Sequence, residues 1–221
     1  MSEENKRSIR ISVRNLVEFV LRSGDIDNRR SGNAQKDAML AGGRIHRKIQ
    51  KRMGSGYRAE VPLKHKVRDE EQEITLLVEG RADGIFKENG ISVIDEIKGM
   101  YTDVSRLEAP IEIHLAQAMC YGYFYCCEKD LDGIRLQMTY CNLETEEIKR
   151  FQTDRSREEL EIWFSGVAHE YFKWARYLCH HELTRDASIR QLEFPFPYRA
   201  GQRDLVVAVY RTVSRKKRLF I

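Results

Sequence analysis

Residues 74–99 read Ile-Thr-Leu-Leu-Val-Glu-Gly-Arg-Ala-Asp83-Gly-Ile-Phe-Lys-Glu-Asn-Gly-Ile-Ser-Val-Ile-Asp95-Glu96-Ile97-Lys98-Gly. Two apolar runs, Ile74–Phe86 and Ile91–Lys98, flank Lys87-Glu-Asn-Gly, and Asn-Gly between such runs is a strong hairpin signal. The stretch therefore predicts two antiparallel strands that bring Asp83 beside Glu96. Side chains alternate along a strand, so Glu96 and Lys98 share one face while Asp95 and Ile97 take the other. A bulge there would turn Asp95 inward instead, and its direction stays open at this point.

Working upstream, Ser12 reads as the cap of a short helix carrying Leu16, Val17, Phe19 and Val20, broken at Ser23-Gly24-Asp25. Asp27–Gly32 reads as a loop. Ala38, Ala41, Ile45 and Ile49 then recur at helical spacing, which predicts a long helix over Asn33–Met53 that carries His46 and ends at Gly54-Ser-Gly. Ala59–Leu63 reads as a strand and Lys64–Gln72 as a solvated loop.

Downstream, Ile111–Cys127 reads as a helix with a polar-aromatic stripe, His114, Gln117, Tyr121 and Tyr125, opposite an apolar one that packs on a sheet. Ile134–Asn142 and Glu147–Thr153 read as strands. Ser156–His181 reads as a long helix opened by a Ser156/Glu159 capping box. The order predicts an α/β three-layer fold, a central mixed β-sheet flanked by helices, over residues 1–185. Residues 186–221 read as a linker and a further piece, with Glu182–Arg190 linker-like, an amphipathic helix over Asp204–Val213 and a basic cluster at Ser214–Arg218.

The 221 residues are 42% hydrophobic and 33% charged with a formal charge of +4, the balance of a globular chain that permits a polyanionic partner without demanding one. No apolar run is long enough to span a membrane, and Met-Ser-Glu-Glu-Asn-Lys-Arg is no secretory signal, so a cytoplasmic protein is expected. The five cysteines contain no Cys-x-x-Cys pair, which makes zinc, cluster and disulfide frameworks poor fits.

Asp83, Glu96 and Lys98 suit phosphodiester hydrolysis. Two carboxylates on adjacent strands offer hard oxygen ligands to Mg²⁺ or Mn²⁺, and a neighbouring lysine can orient water and meet developing charge. The plainer reading of the same residues is a cross-strand salt bridge on a solvated face. Taken alone, His46 is an ordinary helix histidine and Gln117 with Tyr121 a helix–sheet contact. Glu60 is either a surface glutamate or a further group turned towards the ion.

The pattern Gly80-Arg-Ala-Asp83-Gly-Ile followed by Val93-Ile-Asp-Glu96-Ile-Lys98 resembles the PD-(D/E)xK nuclease superfamily. Gly43-Arg-Ile-His46 and Gln117-Ala-Met-Cys-Tyr121 resemble the Gly-x-x-His and Gln-x-x-x-Tyr motifs of its RecB and lambda-exonuclease-like branch. The resemblance implies a restriction-endonuclease-like fold and a Mg²⁺- or Mn²⁺-dependent DNase acting on single-stranded, flapped or free-ended DNA. It implies metal ligation by His46, Asp83, Glu96 and the carbonyl of Ile97, catalysis by Asp83, Glu96 and Lys98, and DNA contact by Gln117 and Tyr121. Ala82 stands where the superfamily name has proline. With no cysteine before Asp83, the iron–sulfur cluster of some RecB-type nucleases is not expected.

Phe196-Pro-Tyr-Arg-Ala-Gly-Gln202, the helix after it and Arg218-Leu-Phe-Ile resemble the lead-in of XPD-like superfamily-two helicases, although the chain has no Walker loop. This implies a nuclease module of a DNA repair or recombination helicase, with the motor in the same full-length polypeptide. The alternative is a non-catalytic DNA-binding module on the same fold, which Mn²⁺ titration separates from the enzyme.

Overall fold

The computed structural model describes residues 7–24, 33–69, 74–193 and 195–220. The expected loop at Asp27–Gly32 lies outside them, as do Asp25 and residues 70–72. The elements run β1 (Arg7–Ser12), α1 (Val13–Val20), α2 (Asn33–Arg52), β2 (Arg58–Asp69), β3 (Ile74–Glu88), β4 (Ile91–Met100), one 3₁₀ turn (Val104–Arg106), α3 (Glu112–Lys129), β5 (Gly133–Asn142), β6 (Ile148–Ser156), α4 (Arg157–Arg190) and α5 (Gln202–Ser214).

The quoted hairpin forms as its sequence dictates. Glu88 pairs with Ile91, and between them Asn89 and Gly90 take φ of 51° and 84°, the left-handed pair of a type I′ turn. β4 continues parallel to β5, and β5 pairs antiparallel with β6, so the sheet is mixed.

The strand order is β1-β3-β4-β5-β6, with β2 on the other edge of β3. β2 pairs antiparallel with β3 from Asp69↔Ile74 to Arg58↔Ile85. Both β1 and β4 must therefore share the opposite edge, β1 parallel along Ile74–Glu79 and β4 antiparallel along Gly84–Glu88. Between these two ladders the edge of β3 from Gly80 to Asp83 has no strand partner. The sheet forks there, because the chain leaves β1 at Ser12 to begin α1 while β4 diverges after Asp95.

The core explains the helices. Leu16 and Val17 of α1, Leu76 and Val78 of β3, Phe124 of α3 and Phe164 of α4 are buried in one cluster, each large side chain contributing about 1.5–3 kcal/mol by leaving water. The Phe124 and Phe164 rings meet edge to face at 5.2 Å. α2 covers a smaller patch, its Ile45 and Ile49 packing with Ile97 and Cys141.

Three expectations need correction, and one strand was not foreseen. β1 was not foreseen, because it offers only Ile9 and Ile11 as apolar residues. β2 runs on through Lys64–Asp69 instead of looping there, since every residue of that stretch pairs with β3 and Asp69 accepts two bonds from Arg176 on α4, at 2.6 and 3.0 Å. Glu182–Arg190 is the helical end of α4, not a linker. α3 is not divided into a packed and an open stripe, for Gln117, Tyr121 and Tyr125 are buried along with Ala118 and Cys126.

The chain divides into two compact units, Met1–Cys179 and His180–Ile221. The second contains α5, which buries none of its residues and exposes Val206, Val209, Tyr210 and Val213. No helix of the described residues is long and apolar enough to cross a membrane.

Ser156 and Glu159 form the expected capping box, the Glu159 amide donating to Ser156 Oγ at 3.1 Å and the Ser156 amide to Glu159 Oε2 at 2.8 Å. Ser156→Ala is expected to cost about 1 kcal/mol, read by chemical denaturation.

Candidate active site

The fork in the sheet creates backbone amides with no ladder to enter, and side chains take them up. Ile97 N–H donates to Asp83 Oδ2 at 2.7 Å, so the carboxylate replaces a strand bond at the point where β4 diverges. The amide of Arg81 bonds the Tyr121 hydroxyl. Tyr121 reaches it because Gly80 has no side chain: a Cβ there would stand 2.6 Å from the hydroxyl.

Around Asp83 the groups anticipated from the sequence converge. His46 Nδ1 lies 3.3 Å from Asp83 Oδ1, and Lys98 Nζ lies 2.8 Å from Glu96 Oε1. Lys98 Nζ also donates to Gln117 Oε1 at 2.7 Å, which gives Gln117 its place beside the lysine. Gln117 and Tyr121 are 5% and 6% exposed, Gln117 bonded to Lys98 and Tyr121 to the Arg81 amide. Ile97 is fully buried.

Asp95 takes the opposite side. Its Oδ1 accepts from Thr139 Oγ1 at 2.6 Å and Gln137 Nε2 at 3.1 Å, and its Oδ2 accepts from Tyr57 OH at 2.9 Å. Burial lifts the carboxyl above its ordinary value against those three donors. The Tyr57 ring reaches it across Gly84, where a Cβ would lie 1.8 Å from ring atoms.

The electrostatics separate the other groups. Burial pulls the His46 imidazole down, yet the hydrogen bond and charge of Asp83, joined by Glu96, leave it above its usual value. Glu96 is pushed up to about 7, first by burial and then by the charge of Asp83, with Lys98 opposing. Its Oε2 is buried and, among the described residues, has no hydrogen-bond partner. Leaving such an atom unpaired is costly.

No group of three or more His, Cys, Asp or Glu among the described residues is arranged to hold an ion. Both Asp83 oxygens and Glu96 Oε1 are engaged in internal pairs. Glu96 Oε2 is the unsatisfied oxygen, and the carboxylates of Asp83 and Glu96 are hard oxygen donors of the kind divalent cations take.

Sequence reasoning missed Gln50, Tyr57, Gln137 and Thr139. Gln50 Nε2 donates to the Asp83 carbonyl at 3.0 Å and to Glu60 Oε1 at 3.2 Å, tying α2 to the fork. Its spacing of i+4 from His46 was the available signal. Glu60 itself is exposed, with φ of 54°, and lies between the pairs Ala59↔Gly84 and Val61↔Ala82, hence opposite Asp83. Such a backbone is strained for a residue with a side chain. Gln137 and Thr139 were legible only as alternate polar positions within an apolar strand.

The described residues form an α/β fold, a mixed sheet flanked by helices with an acidic fork at one strand edge. The crystal structure of SSO0001 shares the fold, at 19% identity and a TM-score of 0.50, over 79% of this chain and 78% of that one. An alkaline exonuclease from Laribacter hongkongensis matches at 10% identity and a TM-score of 0.45, over 81% of this chain and 93% of that one. No protein-family model matches the chain, and no curated protein matches it.

Proposed function

We propose that this chain is a Mg²⁺- or Mn²⁺-dependent DNA nuclease whose centre is the fork at Asp83. The observation that carries the reading is the buried, unpartnered Glu96 Oε2 beside Asp83, His46 and Lys98. Asp83, Glu96, the Ile97 carbonyl and His46 would hold the cation, which when bound supplies an acidified water and neutralises phosphate charge. Lys98, steadied by Gln117, orients the attacking water and faces the charge that develops on the phosphate. Tyr121 and Gln117 serve DNA through the shape of the fork and the aim of Lys98. Arg44, Arg47 and Lys51 are exposed on the helix that carries His46 and suit a polyphosphate backbone. On the helicase resemblance, the substrate is single-stranded, flapped or free-ended DNA and the motor is a partner.

The test is cleavage of end-labelled linear, circular and flapped DNA with each metal. Metal-dependent products are expected. A folded protein that cuts none of these forms overturns the reading.

The metal requirement carries a pH signature. A carboxyl raised from an unfolded value near 4.5 to about 7 keeps its proton longer in the folded protein, so what this group contributes to the metal-free fold is lost as pH rises through that interval. Cation binding needs the ionised form. The rise in melting temperature on adding Mn²⁺ is therefore expected to grow from pH 5 to pH 8, read by scanning fluorimetry, and Glu96→Gln should flatten it.

A further inference from the structure

Two buried side-chain atoms among the described residues meet no hydrogen-bond partner, Glu96 Oε2 and His114 Nδ1; Lys98 pairs with the other oxygen of Glu96, and its charge acts on His114. His114 stands one turn before Gln117 on α3, and Gln117 already accepts from Lys98 Nζ. The His114 ring lies over Tyr140 with centroids 5.9 Å apart, and Tyr140 is the cross-strand partner of Lys98. That hydroxyl of Tyr140 is engaged by the Ile111 amide at 2.9 Å. From α1, Arg14 and Glu18 face the same ring but bond each other at 2.6 Å. Burial, and then the charge of Lys98, press the imidazole down to about 4, so at neutral pH it holds one proton and offers one bare nitrogen.

An ammonium has three protons to place, and Lys98 gives one to Glu96 and one to Gln117. When Glu96 turns to a cation it relaxes its hold on Lys98, and the lysine needs another anchor on the α3 side. We propose that His114 is the positioning residue that takes up this proton at Nδ1 and keeps Lys98 aimed at the reacting phosphate. The inference rests on the nuclease reading. His114 touches neither substrate nor ion, and acts through Lys98.

The test has a metal-free arm and a kinetic arm. In ¹⁵N spectra the Nδ1 resonance of His114 is expected to shift towards a hydrogen-bonded acceptor in Glu96→Gln, where the lysine loses its carboxylate, and to return in Glu96→Gln with Lys98→Met. In cleavage assays His114→Leu is expected to lower kcat about tenfold with KM nearly unchanged. His114→Asn, whose Oδ1 stands close to where Nδ1 stands, is expected to recover most of the rate at an equal melting temperature. A wild-type rate in His114→Leu, or an Nδ1 resonance indifferent to Glu96→Gln, overturns the inference. A wild-type protein inactive with both metals overturns the nuclease reading instead, and the spectra still decide the contact.

Discussion

Asp83→Asn is expected to fold normally and to cleave DNA slower than wild type by about a thousandfold or more. The carboxylate has two separable tasks. As an acceptor it holds the Ile97 amide at the fork, and asparagine can continue to do so through its amide oxygen. As an anion it faces His46 and shares the centre with Glu96, and asparagine cannot. Loss of the charge also removes a repulsion on Glu96, so the melting temperature should hold or rise while Mn²⁺ binding weakens. Single-turnover cleavage and a thermal melt on the same preparation read the two tasks apart. A rate within tenfold of wild type would refute the placement of the centre at Asp83.

Asp95→Ala is expected to show the reverse, a large loss of stability with cleavage per folded molecule retained. Asp95 is fully buried and accepts from Tyr57, Gln137 and Thr139, so truncation strands the donors of Gln137 and Thr139 in the interior and that of the part-buried Tyr57 beside them. Breaking a buried network of this kind costs about 3–5 kcal/mol. For a chain of this size that is about 10 °C in melting temperature. Activity survives at low temperature because Asp95 points away from Glu96 and Lys98. Urea denaturation measures the loss, and a change below about 1 kcal/mol would show that water replaces the carboxylate in the network.

The two substitutions define how far the sequence carried. The hairpin from Ile74 to Lys98 was legible because three independent local rules agreed: alternation, an Asn-Gly turn and apolar runs of strand length. The helices carrying His46 and Gln117 were legible from periodicity, and the Ser156/Glu159 cap from two residues. The direction of Asp95 was not legible. On a strand its neighbour Glu96 is equally acidic, and only Tyr57, 38 positions upstream, with Gln137 and Thr139 on β5, shows which face takes it. β2 past Leu63 was illegible for a similar reason, since its polar residues become a strand only by pairing with β3.

By itself the sequence determined the α/β order of elements from α1 onward, though not β1 or the full length of β2, and which residues carry acid, base and amide, since both follow from local periodicity and side-chain chemistry. The tertiary structure decided the fork. Two strands from distant parts of the chain, β1 and β4, share one edge of β3 and leave Gly80–Asp83 without a strand partner on that edge. No local pattern encodes that gap, because it exists only where two ladders end on the same edge. The unmet amides of the gap then bring Asp83 and Tyr121 to it, and with them Glu96 and Lys98 to one place.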